Sequence, residues 1–326
     1  MGSPLLGYIE PKDRTNEQND AHLMSMALMP KFSIPNYITS GGLVKVILTD
    51  TWKAPKVVKD IGFEFNGFWQ LTGSCVGASA GNASATLGFI QRLLKDTPTL
   101  AFVPFWPFAY GRTRANEGDR GQGEGAVDSV MASTLHREGV LGSTESGLPA
   151  FQHTSDGICL TKAIEMQWSD GNSSTVTKYQ SIAVSHTIGT AAVLNSTEDI
   201  KSALINGYPV LDGCSKYVGH GSIKGEGKDA YVTGKYDNNG GHSTCFLGYW
   251  DHPNDGPLYL YSNQWPTQTY PIDPAGGGRC TVWLPESEVS KLFSHYGGGN
   301  GETVALSHLN WFPAQPDLPN VIPWMG

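Results

Sequence analysis

The sequence predicts an α+β fold in which helices come first along the chain and antiparallel strands follow. Apolar side chains recur at helical spacing across residues 76–94 and 126–135, whereas stretches between 231 and 284 alternate apolar and polar side chains, as strands do. Forty glycines and twenty prolines indicate many turns, which disfavours a helical bundle. Helices followed by strands along one chain are the pattern of an α+β domain.

Composition sets limits on the function. The net charge of −8 without clustered Lys and Arg argues against nucleic-acid binding, and no run of eighteen apolar residues is present to span a membrane. The N-terminus lacks a basic region followed by an apolar core, so we expect cytoplasmic synthesis without a signal peptide. Five widely spaced cysteines without a C-x-x-C pair disfavour a zinc site and a disulfide framework, and we expect no metal or other cofactor.

Residues 1–60 do not have the pattern of a compact unit. Polar, methionine-rich and proline- or glycine-punctuated stretches follow one another, and only residues 43–48 predict a strand. We expect an arm that packs along the body. The alternatives are an inhibitory pro-segment and an arm used in assembly.

The helix predicted at 75–94 begins at a cysteine that follows a tight turn. The positions between its apolar residues are small or polar, so another wall of the protein can pack closely against it. Its apolar stripe consists of Val76, Ala80, Ala83, Leu87, Ile90 and Leu94. A thiol at a helix N-terminus lies among unpaired N–H groups and the positive end of the helix dipole, which both favour the thiolate. Cys75 is therefore the candidate nucleophile. The remaining cysteines are predicted to be core thiols: Cys159, Cys214, Cys245 and Cys280.

Further elements are predicted between and after these helices. An aromatic cluster at 102–110 precedes a glycine-rich loop at 118–125, and Gly139 ends the second helix as a C-terminal cap. Residues 150–190 predict irregular structure with short strands, and Ser196 caps a short helix. Strands are predicted at 209–211, 231–233, 243–249, 258–261 and 281–284.

A cysteine nucleophile needs a base and a group that orients the base. Among nine histidines, His242 has the most suggestive setting, because it stands at the mouth of a strand behind two glycines. A turn centred near residue 254 places His242 opposite residues 265–266 in an antiparallel pair, which brings Asn263 within reach. The Asn263 carbonyl would fix the imidazole tautomer, and Trp265 would shield that hydrogen bond from water. His220 is the rival base, but no equivalent of Asn263 follows it at strand spacing.

Three motifs together resemble the papain-like cysteine peptidases. Gly73-Ser74-Cys75 opens a helix, Gly241-His242 opens a strand, and Asn263-Gln264-Trp265 ends the next strand, in that family's order of Cys, His and Asn. The interval from the cysteine to the histidine is somewhat longer than the roughly 130–150 residues of the family. The stretches at 102–114 and 125–141 are similar to bacterial and viral members, and the resemblance covers approximately residues 60–290.

The resemblance implies a helical half with the nucleophile helix, an antiparallel strand-rich half and an active-site cleft between them. It implies Cys75 as nucleophile, His242 as general base and acid, and Asn263 as the orienting group. The Cys75 N–H and a glutamine amide would form the oxyanion hole. The sequence departs from the family at that glutamine, because Trp69 stands six residues before the cysteine and Gln70 comes one residue late. Loss of an oxyanion donor costs on the order of 10²–10³ in rate, so activity depends on Gln70.

The resemblance also implies the borders of the cleft and of the domain. Thr72 replaces a cysteine of the family, which removes one common disulfide. The implied substrate-binding residues are Gly123, Gly125, Gly241 and Trp265. We expect an N-terminal arm or pro-segment at 1–60, a papain-like catalytic domain at 61–304 and a tail rich in Pro and Trp at 305–326.

The leading hypothesis for the function is hydrolysis of peptide or isopeptide bonds through an acyl-enzyme on Cys75, with a peptide or protein as the substrate. One alternative is a structural component of a larger assembly, such as a phage virion, with weak or no activity. Residues 1–60 and 305–326 would then contact the assembly partners. Another alternative is an amidase or acyl transferase that acts on cell-wall peptides.

Overall fold

The computed structural model describes residues 7–29, 44–95, 102–119, 121, 123–154, 157–170, 178–218, 222–226, 230–265, 281–295 and 302–307. Its α-helices are α1 (Asn16–Leu28), α2 (Pro55–Ile61), α3 (Cys75–Lys95), α4 (Trp106–Asn116), α5 (Asp128–Arg137), α6 (Lys162–Trp168), α7 (Gln180–Ala183), α8 (Thr197–Ile205) and α9 (Glu286–His295). Two 3-10 helices occupy Pro11–Asp13 and Leu48–Lys53.

The strands are β1 (Lys45–Ile47), β2 (Pro104–Phe105), β3 (Leu141–Gly142), β4 (Gln152–His153), β5 (Ile158–Cys159), β6 (Ala191–Val193), β7 (Val210–Val218), β8 (Ser222–Lys224), β9 (Tyr231–Thr233), β10 (Tyr236–His252), β11 (Gly256–Ser262), β12 (Thr281–Pro285) and β13 (Thr303–Leu306). Nine of them form one sheet in the order β6-β13-β7-β10-β11-β12-β9-β8, with β1 paired to β10. The pairs are antiparallel apart from β9 and β12, which run parallel.

The long strand β10 connects the sheet to the helical half. Its first part pairs with β7, and its second part pairs with β11 and β1. His242 therefore lies within a strand rather than at its mouth, next to an irregularity in the register between Asn239 and His242. The middle of β10 faces the N-terminal end of α3, where the Ser243 N–H contacts Cys75.

The central helix α3 is buried on every side from Cys75 to Arg92. The predicted apolar stripe is buried apart from Leu94, which is half-buried. The small and polar positions between its members are buried too, because α4 and the sheet contact the helix as well. A Cβ atom at Gly77 would lie 2.6 Å from the Trp106 ring, and one at Gly81 would lie 2.9 Å from the Trp106 Cβ. These two glycines allow the close packing that the small residues predict.

Residues 7–29, the N-terminal segment, consist of extended chain, the first 3-10 helix and α1. Thr15 caps α1 in a capping box with Gln18, which satisfies two backbone N–H groups at the helix start. The helix packs against α5. The N-terminal segment is thus ordered against the helical half of the body.

Residues 44–61 differ from the arm that the sequence predicts. β1 pairs with β10, and the side chains of Leu48, Trp52 and Val57 are almost completely buried. The Trp52 indole N–H donates to the Thr86 hydroxyl of α3 at 2.8 Å. These residues belong to the body because their apolar side chains fill part of its core.

The predicted helix caps are confirmed, and one prediction for the middle of the chain is corrected. Gly139 lies just beyond α5 with a φ of +78°, and Ser196 accepts a hydrogen bond from the Asp199 N–H at 3.1 Å. Residues 150–190 contain α6 and α7 as well as short strands. These two helices span seven and four residues, which is too short to produce a clear helical period in the sequence.

Three of the predicted core thiols, Cys159, Cys214 and Cys245, are buried and free. The fourth, Cys280, lies outside the described residues, as do His220 and the tail beyond residue 307. Ala305 and Leu306, which the sequence assigns to the tail, are part of β13. Within the described ranges, no helix is long and apolar enough to cross a membrane.

Candidate active site

Cys75 is the first residue of α3, and its side chain is fully buried. Its sulfur accepts a hydrogen bond from the Ser243 backbone N–H at 3.3 Å. The turn before it, residues 71–74, enters the helix directly, so the thiol lies at the positive end of the helix dipole. The structure therefore brings the predicted nucleophile against the middle of β10.

His242 is held by two neighbours at the end of β11. Its Nε2 lies 2.9 Å from Oδ1 of Asn263, and its ring stacks on Trp265 with centroids 4.4 Å apart and planes 21° apart. Asn263 follows β11 directly, and Cys245 pairs with Ser262, which sets this register. The three residues predicted from strand pairing are thus brought together, and Trp265 covers the imidazole rather than standing apart as a binding surface.

Gln70 lies in the loop before Cys75 and is fully buried. Its backbone N–H donates to the Gln264 carbonyl at 2.9 Å, which ties the loop to the chain that carries Asn263. Its side-chain Nε2 donates to the Thr72 carbonyl at 2.8 Å. An amide NH₂ has two hydrogens, so this contact uses one of its two donors.

Two of the predicted substrate-binding glycines have different surroundings. The Gly125 N–H donates to the Gly73 carbonyl at 3.1 Å and to the Tyr110 hydroxyl at 2.8 Å, and its φ of +101° favours glycine. Gly123 instead packs on Arg114, where a Cβ atom would lie 2.6 Å from a guanidinium nitrogen. Gly125 therefore borders the turn of the nucleophile, whereas Gly123 supports the loop.

The N-terminal segment crosses the site between the two halves. The Tyr8 N–H donates to the Gly241 carbonyl at 3.3 Å. Ala126 donates to the Gly7 carbonyl at 2.9 Å and accepts from the Ile9 N–H at 3.0 Å. A Cβ atom at Gly7 would overlap the Gly73 carbonyl oxygen, so the chain passes directly over the turn that leads to the nucleophile. The main-chain groups that border the site are occupied by this segment.

Comparisons with known proteins give fold-level similarity. No family model matches the sequence, and no curated protein matches it. The crystal structure of xylellain, a cysteine protease from Xylella fastidiosa, has a TM-score of 0.55 at 18% identity, covering 93% of this chain and 96% of that one. The chain has the papain-like fold.

Other solved structures are less similar. The ragweed cysteine protease Amb a 11 in its proform has a TM-score of 0.47 at 14% identity, covering 98% of this chain and 78% of that one. The bromelain protease from Ananas comosus has a TM-score of 0.41 at 12% identity, covering 77% and 96%.

The electrostatics of the candidate site reflect its burial under the N-terminal segment. Burial raises the pKa of Cys75 to about 12, although N–H groups of Ser243, Gly7 and Val76 oppose the shift. Burial lowers the pKa of His242 to about 4, against the effect of the Asn263 hydrogen bond. The thiolate that the sequence favours is therefore not the stable form here, because desolvation outweighs the donors at the helix N-terminus. The pair rests as a neutral thiol and a neutral imidazole.

Glu165 of α6 holds the loop before the nucleophile, and sequence reasoning did not single it out. Its carboxyl accepts from the Leu71 N–H at 3.0 Å, the Thr72 hydroxyl at 2.9 Å and the Ser74 hydroxyl at 3.2 Å. Burial raises the pKa of Glu165 to about 7, and these donors oppose the shift. The Thr72 contact joins α6 to the turn that leads into α3. A buried glutamate on a seven-residue helix leaves no sequence signal, so only the fold reveals it.

Asp128 connects α5 to the nucleophile helix through two hydroxyls. Its Oδ1 accepts from the Ser243 hydroxyl at 2.7 Å, and the Ser243 hydroxyl oxygen lies 2.7 Å from the Ser79 hydroxyl oxygen of α3. Burial raises the pKa of Asp128 well above its usual range, helped by Glu302 and Asp212. In the sequence Asp128 has the pattern of a surface acid, but its side chain is fully buried. Within the described ranges, no cluster of three or more His, Cys, Asp and Glu side chains is arranged to hold a metal ion.

Proposed function

We propose that this protein is a cysteine peptidase that hydrolyses peptide or isopeptide bonds through an acyl-enzyme on Cys75. The observation that carries the proposal is the 2.9 Å contact between His242 Nε2 and Asn263 Oδ1. The next residue of the same strand, Ser243, donates its backbone N–H to the Cys75 sulfur. An imidazole has two nitrogens, and Asn263 engages one of them. Nδ1 is then the nitrogen that exchanges a proton with the thiol.

The proposed reaction has two steps. Cys75 transfers its proton to His242, and the sulfur attacks the carbonyl carbon of the scissile amide. The imidazolium protonates the departing amine as the C–N bond breaks, which leaves a thioester on Cys75. Water then attacks the thioester, and its proton passes through His242 to the sulfur as the carboxylic acid product departs.

The negative charge on the carbonyl oxygen needs two donors. The Cys75 backbone N–H at the start of α3 supplies one, because the first N–H groups of a helix have no intrahelical acceptor. We assign the second to Gln70, whose side-chain amide is buried in the loop directly before Cys75. Trp69 is not assigned this role in our proposal, because its side chain interacts with the Cys159 thiol of β5.

The proposed peptidase is latent while the N-terminal segment covers the site. Gly7 lies over the Gly73 turn, and main-chain groups of Gly241 and Ala126 bind the segment. A substrate would need the same groups. The neutral thiol and imidazole of the covered site also lack the thiolate that attacks.

The test is alkylation of Cys75 in the full chain and in a Gly7→Ala variant. The added methyl overlaps the Gly73 carbonyl oxygen, so we expect it to displace the segment and to open the site. Iodoacetamide should then modify Cys75 at least tenfold faster than in the wild type, and ahead of Cys214 and Cys245, as read by mass spectrometry of the digested protein.

Asp20→Ala, an exposed change on α1, is the control and should leave the labelling rate at the wild-type value. Hydrolysis of casein should rise in Gly7→Ala and be absent from Gly7→Ala/Cys75→Ser. A cross-linked cell-wall peptide in place of casein separates the amidase alternative from a general peptidase. Equal labelling of Cys75 and the core thiols in Gly7→Ala, with no hydrolysis, would contradict the proposal.

A further inference from the structure

The side chain of Tyr8 enters a pocket beside the cleft, here called the acidic pocket and defined by Asp128, Gly213 and Glu302. The Tyr8 ring is buried, and a Cβ atom at Gly213 would lie 2.5 Å both from Cε2 of that ring and from Oδ2 of Asp128. The Gly213 N–H donates to the Glu302 carbonyl at 3.0 Å, which places Glu302 next to the same strand. The pocket therefore exists because residue 213 has no side chain.

A cation of the N-terminal segment fills the end of the acidic pocket. Nη2 of Arg14 lies 2.5 Å from Oε1 of Glu302 and 3.2 Å from the Tyr8 hydroxyl, and both charged side chains are at least 97% buried. The Arg14 Nε also donates to the Ile9 carbonyl at 3.2 Å. The N-terminal segment therefore folds back on itself, and its Arg14 contacts both Glu302 and the Tyr8 hydroxyl.

Asp128, the second acid of the acidic pocket, has one carboxyl oxygen that makes no hydrogen bond to the described residues. Oδ1 of Asp128 accepts from Ser243, whereas its buried Oδ2 has no hydrogen-bond partner among the described residues. Arg14 is the positive charge that acts on both Asp128 and Glu302. His22 lies 3.3 Å from Glu302 but stays neutral, since burial lowers its pKa to about 4. A buried carboxylate without a cation is strongly unfavourable, so ionised Glu302 needs the charge that Arg14 brings, whereas covered Asp128 is held as the neutral acid.

Arg14 and His22 both belong to the N-terminal segment, so the positive charge leaves the pocket when the segment leaves the cleft. Asp128 and Glu302 then line an open pocket. Tyr8, which fills this pocket in the covered protein, is the residue after Gly7, which lies over the turn before Cys75. We propose, on the basis of the proposed peptidase function, that the acidic pocket is a specificity pocket that selects a lysine or arginine side chain of the substrate through Asp128 and Glu302.

The charge of the pocket favours a cation over an aromatic side chain. A tyrosine side chain reaches into the pocket but brings no positive charge to the two carboxyl groups. In the N-terminal segment that charge comes from a second residue, Arg14. An arginine that enters where Tyr8 enters spans a similar length and brings the charge itself. Hydrogen bonds from a cation to carboxylates are about twice as strong as neutral ones.

A binding experiment tests the pocket without any hydrolysis. The full-chain Arg14→Ala variant is titrated with n-propylguanidinium and with the uncharged n-propylurea by calorimetry. We expect propylguanidinium to bind at least about tenfold more tightly than propylurea, because charge-assisted hydrogen bonds are the stronger class. Adding Glu302→Gln should abolish the difference. If Arg14→Ala does not fold alone, the comparison is whether propylguanidinium restores its folded state at a lower concentration than propylurea. Equal binding of the two probes would overturn the proposal.

A second experiment measures selectivity in the Gly7→Ala chain with a peptide library that varies one position at a time. We expect kcat/KM for lysine or arginine to exceed that for norleucine by at least about tenfold at one position, and Asp128→Asn/Glu302→Gln to remove the preference. Glu64→Gln, an exposed loss of one negative charge, should keep it.

The outcomes separate the two proposals. Hydrolysis without a basic preference overturns the specificity pocket and leaves the peptidase standing. Absence of hydrolysis for every library member overturns the peptidase, and the guanidinium titration then decides alone whether the acidic pocket binds cations.

Discussion

At the scale of residues, the candidate site depends on a few side chains that are each held from two directions. His242 lies between Asn263 and Trp265, so its ring plane and its tautomer are both fixed. Gln70 is tied through its backbone to Gln264 and through its side chain to Thr72. Fixed donors and acceptors need no reorganisation during a reaction, which is the condition under which a single amide has a large effect on rate.

Gln70→Ala should therefore lower kcat by about 10²–10³ with little change in KM, because an oxyanion donor acts mainly in the transition state. The measurement is peptide hydrolysis in the Gly7→Ala background, where the cleft is accessible. Gln180→Ala, a matched change on the exposed face of α7, should leave kcat unchanged. An unchanged kcat in Gln70→Ala would assign the second donor elsewhere.

At the scale of elements, α3 positions the nucleophile because its partners fix the helix from all sides. Trp106 and Tyr110 of α4 lie against Gly77, and Ser79 joins the helix to Ser243 of β10. A helix held by an amphipathic stripe alone can shift along its partner, whereas one buried all round cannot move without disturbing the core. The place of Cys75 relative to β10 is thus set by packing far along the helix.

Gly77→Ala should destabilise the protein even though alanine favours helix formation. The gain in helix propensity is at most about 1 kcal/mol, whereas a methyl 2.6 Å from the Trp106 ring forces a core shift that costs roughly 1–3 kcal/mol. Urea unfolding measures the net loss. Ser84→Ala, on the same buried helix, should be neutral or stabilising, because Ser84 Oγ has no hydrogen-bond partner among the described residues. A stabilised Gly77→Ala would show that α4 yields easily.

At the scale of the whole molecule, buried carboxyls make stability depend on pH. Burial raises the pKa of Glu117 to about 8, and of Glu165 and Asp212 to about 7. Their pKa values are lower when the chain is unfolded, so the folded state binds more protons between those limits and loses stability as the pH rises. His22 and His242 act in the opposite sense only below pH 6.5, where the unfolded chain takes up their protons.

Between pH 6.5 and 8 the carboxyls therefore dominate, and the free energy of unfolding should fall with pH. Glu117 contributes at most about 1.4 kcal/mol per pH unit, the value for one proton. Glu117→Gln keeps an acceptor for the Val127 N–H and removes the titration, so its pH profile should be flatter by that amount. Urea unfolding at several pH values measures the slopes, with the exposed Glu64→Gln as the control. Parallel profiles of wild type and Glu117→Gln would contradict the assignment.

Sequence patterns predicted the parts of the fold that repeat regularly or follow turn chemistry. The helix behind Cys75, the Gly139 and Ser196 caps and the antiparallel strands are of this kind. Strand pairing around the turn near residue 254 also brought Asn263 to His242. Contacts between distant parts of the chain were not predictable, because a buried acid such as Glu165 or Asp128 looks like any surface acid in a sequence. The ordered packing of residues 44–61 was missed for the same reason.

The N-terminal segment occupies the cleft as part of the same polypeptide, and that continuity has a kinetic consequence. A tethered ligand acts at an effective concentration on the order of millimolar whatever the concentration of the protein in solution. One break in the backbone between Met29 and Val44 would turn the segment into a separate molecule whose hold on the cleft weakens with dilution. We expect diluted, nicked protein to gain accessible Cys75 over time, whereas diluted intact protein stays covered.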